Sequence, residues 1–196
     1  MPTRPPNPPP DPPVHIPGAG TFGMAVLIIS LSILFLASMA ALLLIRMKSP
    51  VWPPSGMPPL PRSLWLSTLI IPLASVTAQL AHRAVRRDDP AALNRNLVAT
   101  FIIGVLFLLL QSANWVEFYL AIRHFAAEGA YLGMFFVLTG LHAAHVVGGL
   151  IPQGIVIYRA RQGRYSRNFH PGVRYCTIYW HFLDVIWILL FCLIYF

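Results

Sequence analysis

Five long apolar runs, separated by short polar stretches, constrain this chain more than any other feature. They span about residues 21–45, 64–82, 97–122, 130–158 and 173–196. A bilayer crossing needs about 20 predominantly apolar residues per helix, and every run reaches or approaches that length. The fourth is longer than a crossing requires, so tilt or projection is expected of it. Pro72 and Pro152 fall inside the second and fourth runs, where a kink is expected. The fold class that follows is an all-α integral membrane protein with five transmembrane helices. Composition agrees: 57% of the 196 residues are hydrophobic and 10% are charged, against roughly 25% charged in soluble domains. A soluble enzyme and a disordered tail protein are both excluded.

Residues 1–19 form a separate proline-rich tail, with nine prolines in the first seventeen positions. Such a segment cannot be helical and favours an extended, solvated conformation. The membrane domain is expected over 20–196. The net charge is +8, but no compact basic patch alternates with exposed aromatics, so no nucleic-acid partner is expected. The basic residues lie between the apolar runs, as topology signals do. Ten of the fourteen Lys and Arg fall in the tail, the 81–96 and 159–172 loops and the start of the fifth run. The positive-inside rule then puts the N-terminus in the cytoplasm and Phe196 on the opposite face. Cys176 and Cys192 are separated along one helix by roughly 24 Å, too far for a disulfide or a shared metal.

Polar groups inside a bilayer are costly and mark candidate sites. The third run ends QSANWVEFY, with Gln111, Asn114 and Glu117 near one face. The fourth contains FFVLTGLHAAHVVGG, placing His142 and His145 three residues apart on a shared face. Gly140, Ala144 and Gly148 form a small-residue stripe there, suited to close helix packing. The fifth contains YWHFLDVIW, with His181 and Asp184 three apart and Trp180 and Trp187 beside them. Two readings of these groups stay open on residue type alone. One is structural: hydrogen bonds across helices that fix packing. The other is chemical: imidazoles that bind haem or a metal, or carry protons. His15, His82, His124 and His170 sit in the tail or near loop ends and read as solvated. No nucleophile elbow, phosphate loop or zinc-binding helix signature is present, and five spans without a repeat do not resemble a secondary transporter.

At YWHFLDVIW and FFVLTGLHAAHVVGG the chain resembles subunit III of the haem-copper oxidases, the latter matching that family's Phe-Phe-x-x-Thr-Gly-x-His-x-x-His segment. Both motifs stand in the family's order and spacing. WPPSGMPPLPRSLWLSTLIIPLASVT and QSANWVEF give weaker support, and the likeness covers roughly residues 20–196. The resemblance implies a non-catalytic subunit of a bacterial terminal oxidase in the inner membrane, in the short five-helix form. It implies that this chain holds no catalytic centre, haem or copper, all of which belong to a partner subunit I. Subunit II, a small subunit IV and phospholipids are the further partners implied, with roles in lipid binding, stabilising subunit I and supporting proton uptake during oxygen reduction. Under it, Glu117, His142, His145, Trp180, His181 and Asp184 form a structural polar network, and Gly140, Ala144 and Gly148 pack helices.

The likeness has two departures. Longer family members have seven helices, so the lipid cleft here needs completion by a partner. In FGMAVLIISLSILF, Leu31 follows Ser30 where the family often has a buried Glu, so roles attached to that carboxylate do not carry over. Rival readings are an accessory subunit of a nitric oxide reductase or quinol oxidase, a free-standing haem or metal-binding membrane protein using His142, His145 and His181, and a scaffold whose tail recruits a soluble partner.

Overall fold

The computed structural model describes residues 18–52, 59–123 and 129–196, with side chains from 132 in the last segment. Five helices make up the described fold: α1 Ala19–Lys48, α2 Ser63–Val85, α3 Pro90–Ile122, α4 Gly129–Arg161 and α5 Pro171–Tyr195. All five are long and apolar enough to cross a membrane. The proline-rich tail up to residue 17, with His15, lies outside the described residues, as do His124 and the middle of the α1–α2 connection.

The helices outrun the apolar runs at their polar ends. The largest difference is α3, expected near residue 97 and found to begin at Pro90. The reason is local. The Asp89 carboxylate accepts a hydrogen bond from the Ala92 amide at 2.9 Å, satisfying an otherwise orphaned donor of the first turn. Pro90 follows at the first helical position, where its missing N–H costs nothing. The loop expected over 81–96 therefore shrinks to a tight reversal between Val85 and Pro90. Asp88 turns it with φ 52°, a left-handed conformation that Asp tolerates better than most residues.

Helices α2, α3, α4 and α5 form a closed ring, each touching the next and α5 returning to α2; α1 rests on α4 and α5 alone. Direction alternates around the ring. At one end the start of α1 meets the start of α5 through the Thr21 and Tyr175 hydroxyls, 3.2 Å apart. At that end, too, the Asp88 carboxylate accepts the Arg167 amide of the α4–α5 hairpin at 2.7 Å. Tyr165 of this hairpin folds beneath Gly172, and burial pushes its phenol above the ordinary value. At the opposite end the Ser63 hydroxyl donates to Glu117 at 2.8 Å, and the Arg46 guanidinium donates to the Phe196 carbonyl at 2.6 Å.

The ring's centre is aromatic. Trp180, Trp187, Phe107 and Phe118 are fully enclosed, with Leu183, Ile71 and Val146 packed around them. Glycine makes two of these fits possible. A Cβ on Gly104 of α3 would stand 2.6 Å from the Trp180 ring and 3.0 Å from Leu150, and one on Gly149 of α4 would stand 2.7 Å from the Tyr179 ring. Neither space exists for a larger side chain.

The small-residue stripe expected to pack helices lies elsewhere. A Cβ on Gly140 would meet nothing within 4 Å, one on Gly148 would meet only the Tyr179 hydroxyl at 3.9 Å, and Ala144 is exposed. Gly140 and Ala144 therefore face away from the chain's other described helices, while Gly148 borders the groove between α1 and the α4–α5 pair. Close approach is set by which glycines oppose an aromatic ring of α5, not by small residues four apart.

Candidate functional site

The polar side chains of the helices are spent mainly on neighbouring helices. Each pair around the ring is bridged. The Thr77 and Thr100 hydroxyls pair at 2.8 Å between α2 and α3, where the Asn114 amide also lies 3.4 Å from Ser67 Oγ. Trp115 Nε1 donates to Thr139 at 3.0 Å, and the Gln153 amide donates to the Leu97 carbonyl at 3.0 Å, both between α3 and α4. The Tyr179 hydroxyl donates to the His145 carbonyl at 2.9 Å between α5 and α4. Thr177 reaches the Ala78 carbonyl at 3.2 Å, and Trp187 Nε1 reaches Thr68 at 3.0 Å, both between α5 and α2. In lipid, where apolar contact alone gives helices little reason to associate, such bonds and tight packing carry the cohesion.

The predicted site residues are divided among distinct surroundings. His142 is fully buried in an aromatic cage, its ring centroid 5.0 Å from Trp187, 5.7 Å from Phe107 and 6.2 Å from Phe35. Neither of its ring nitrogens has a hydrogen-bond partner among the described residues. His145, one turn on, is half-buried against Phe35 at 5.1 Å. Its Nδ1 donates to the Leu141 carbonyl at 2.7 Å, which leaves Nε2 as the acceptor of a neutral ring. Phe35 of α1 thus touches both histidines, and their shared face is the seat of α1.

His181 and Asp184, expected on one face, part company. Asp184 is buried, with Ser75 as its polar neighbour on α2. His181 is exposed on the outer seam between α5 and α2. Its Nε2 donates to Gln79 Oε1 at 3.2 Å, and in the neutral ring its Nδ1 accepts from the Ser75 hydroxyl at 2.9 Å. Trp180 fills the centre of the ring against Gly104. Glu117 is exposed at the far end of α3, held by Ser63. The His82 and His170 rings lie 5.3 Å apart at the basic end, tilted 59° to one another.

Among the described residues no three His, Cys, Asp or Glu side chains converge on a point where a metal ion could sit. His142, His145 and His181 therefore do not form the shared ligand set that a metal-binding reading would draw on. Several bridging residues escaped the sequence reading, notably Thr68, Thr77, Thr100, Thr139, Gln153, Thr177 and Tyr179. Their signal was present as hydroxyl and amide groups inside apolar runs, but Ser and Thr can also bond their own helix. Ser32, Ser38 and Ser112 do so, each donating to the carbonyl one turn back at 2.8 Å.

Between α1 and the α4–α5 pair runs a groove of about 390 Å³, with Met24, Leu27 and Leu31 on one wall and His145, Gly149 and Tyr179 on the other. It adjoins, through Tyr175, a cavity of about 590 Å³ at the basic end lined by Thr21, His170 and Arg174. Leu31 thus faces the groove across from His145.

A family model for cytochrome c oxidase subunit III matches residues 16–196. The chain is 35% identical over 176 residues to a cytochrome c oxidase subunit 3 of Synechocystis sp., covering 89% of this chain and 74% of that one. It is 34% identical over 174 residues to the cytochrome c oxidase subunit 3 of Thermostichus vulcanus, covering 88% and 85%. Similarity extends to that of Spodoptera frugiperda, with 32% identity over 147 residues and 74% and 97% coverage.

Proposed function

The chain belongs to the cytochrome c oxidase subunit III family, and from that premise we propose that it serves a haem-copper oxidase as a non-catalytic membrane subunit. It flanks and stabilises subunit I, holds phospholipid and supports proton uptake while the complex reduces oxygen. The observation that carries this reading is how its polar groups are used. The Thr, Asn, Gln, Tyr and Trp side chains described above tie neighbouring helices together. A catalytic membrane site would instead draw several of them to one accessible point.

Glu117, His142, His145, Trp180, His181 and Asp184 act in this reading as structural groups. Subunit II and a small fourth subunit complete the assembly, and Gly140, Ala144 and Gly148 offer a small-residue surface on α4 for close helix packing. Phospholipid occupies the α1 groove, its acyl chain against Leu27, Leu31 and Gly149 and its phosphate in the basic-end cavity beside Arg174. The location is the bacterial cytoplasmic membrane, with the basic end inside, as the charge bias supports.

The test is a mild-detergent purification on an N-terminal tag, with a reduced-minus-oxidised spectrum and mass spectrometry of the eluate. Expected is a co-eluting haem-copper subunit I, with this chain colourless once that subunit is stripped away. His181→Leu should weaken assembly without shifting the haem bands of the complex that remains. A chain that elutes alone carrying stoichiometric haem or metal would overturn the reading.

A further inference from the structure

Ser75, Gln79 and His181 form a polar notch on the outer seam of α2 and α5, at a depth where neither water nor lipid headgroups can serve it. Ser75 lies about 18 Å along α2 from its start at Ser63 and about 15 Å from its end at Val85, and His181 lies about 15 Å along α5 from Pro171. His181 is exposed, and Ser75 and Gln79 are half-buried. The demand of the notch is not met within the chain. A neutral imidazole offers one donor and one acceptor, and both are committed, to Gln79 Oε1 and to Ser75. Only one end of the Gln79 amide is thereby used. Its other end has two N–H donors and no partner among the described residues. Turning the amide over would merely exchange an unpaired amine for an unpaired carbonyl.

Lipid chains cannot pair an amide, and an unpaired polar group in hydrocarbon is costly. Ser32, Ser38 and Ser112 avoid that cost by bonding their own backbone, but Gln79 is turned instead toward His181 and the outer surface. Around the notch the seam is otherwise apolar: Val76, Ile178, Val185 and Ile188 are exposed, and on α5 residues 178, 181, 185 and 188 follow one helical stripe.

We infer that the α2–α5 seam is an intramembrane docking face for a transmembrane helix of another oxidase subunit, which presents a polar side chain, an acceptor in the observed amide orientation, to Gln79 at mid-depth. The apolar residues of the stripe pack along that helix, and the notch fixes its register, since only one level of the seam rewards a polar partner. This inference rests on the reading of the chain as an oxidase subunit.

The experiment uses the whole complex in its membrane. A photoreactive benzoylphenylalanine replaces Val185 or Ile178, both of which leave the notch intact, and in a control replaces Leu109 on the outer face of α3, which is 62% exposed. After irradiation, adducts on the tagged chain are identified by mass spectrometry. Val185 and Ile178 should both yield a covalent adduct with a transmembrane helix of another subunit, at a segment holding a polar side chain. In parallel, Gln79→Leu should lower the amount of partner retained in mild detergent by about three- to tenfold, the range of one interhelical hydrogen bond. The inference is overturned if the partner subunit co-purifies while Val185 and Ile178 give only lipid adducts or adducts with a second copy of this chain. It is equally overturned if Gln79→Leu leaves partner retention unchanged. If no other subunit co-purifies under any condition, the subunit reading itself falls, and the docking face with it.

Discussion

Helix α1 and the ring of α2 to α5 are both built to live in a bilayer, but they are joined to the molecule on different terms. α1 is the most apolar of the five helices and the least buried. Its enclosed residues are Phe35, Met39 and Leu42, all in its second half. The ring helices carry the threonines, amides and histidines, and they are the ones that enclose a core. In water the order would be reversed, because the most apolar helix would be driven to the centre. In lipid an apolar side chain gains little by leaving the acyl chains, so packing and hydrogen bonds decide who sits inside. Interhelical hydrogen bonds and aromatic rings seated on glycines therefore hold the core of this molecule together, and its most hydrophobic helix lies at the rim.

The comparison can be broken most forcefully at Gly104. Gly104→Leu drives a side chain into Trp180, and we expect a loss of about 3 kcal/mol or more, read as a lowered midpoint of thermal unfolding in detergent; a midpoint like that of the unchanged chain would refute the central wedge. Phe35→Ala should cost about 3 kcal/mol and release α1 alone. Hydrogen exchange in nanodiscs is expected to speed up across the second half of α1 while α2 to α5 keep their protection. Acceleration spread evenly over all five helices would erase the distinction between rim and ring.

A finer probe is the pair Trp187 and Thr68. A double-mutant cycle with Trp187→Phe and Thr68→Val should give a coupling of about 0.6–1 kcal/mol in stability. No coupling would mean that the 3.0 Å contact contributes nothing beyond shape. The smallest effect is expected from Ala144→Leu on the outward stripe, less than about 0.5 kcal/mol for the isolated chain. A larger loss, measured by the same unfolding assay, would show that the stripe seats one of the chain's own helices after all.

The five crossings were legible in the sequence because a bilayer demands long uninterrupted apolar helices. The true start of α3 was not, because hydropathy passes over its polar first turns; the signal lay in Asp89 followed by Pro90, a cap and a helix-opening proline. Faces were harder still. His181 and Asp184 are three residues apart and about 60° around the helix, and the edge between seam and core happens to fall between them. His142 and His145 show the same split, with Phe35 set between the cage and the groove. The functional glycines were invisible for another reason. Gly104 and Gly149 are chosen by aromatic rings more than 25 residues away in the chain, and no local pattern around either residue announces that partner.

Because α5 closes the ring on α2, the ring exists only after the fifth helix has entered the bilayer. Earlier in synthesis α2 and α3, joined by their tight reversal, can already pair as a hairpin, and α4 can join them. Through that interval Thr68 lacks the indole that will bond it, and His142 stands without Trp187. The nascent chain is thus a membrane intermediate whose polar groups still look outward. Insertion of Trp180 and Trp187 with the fifth helix both closes the ring and conceals its polar interior.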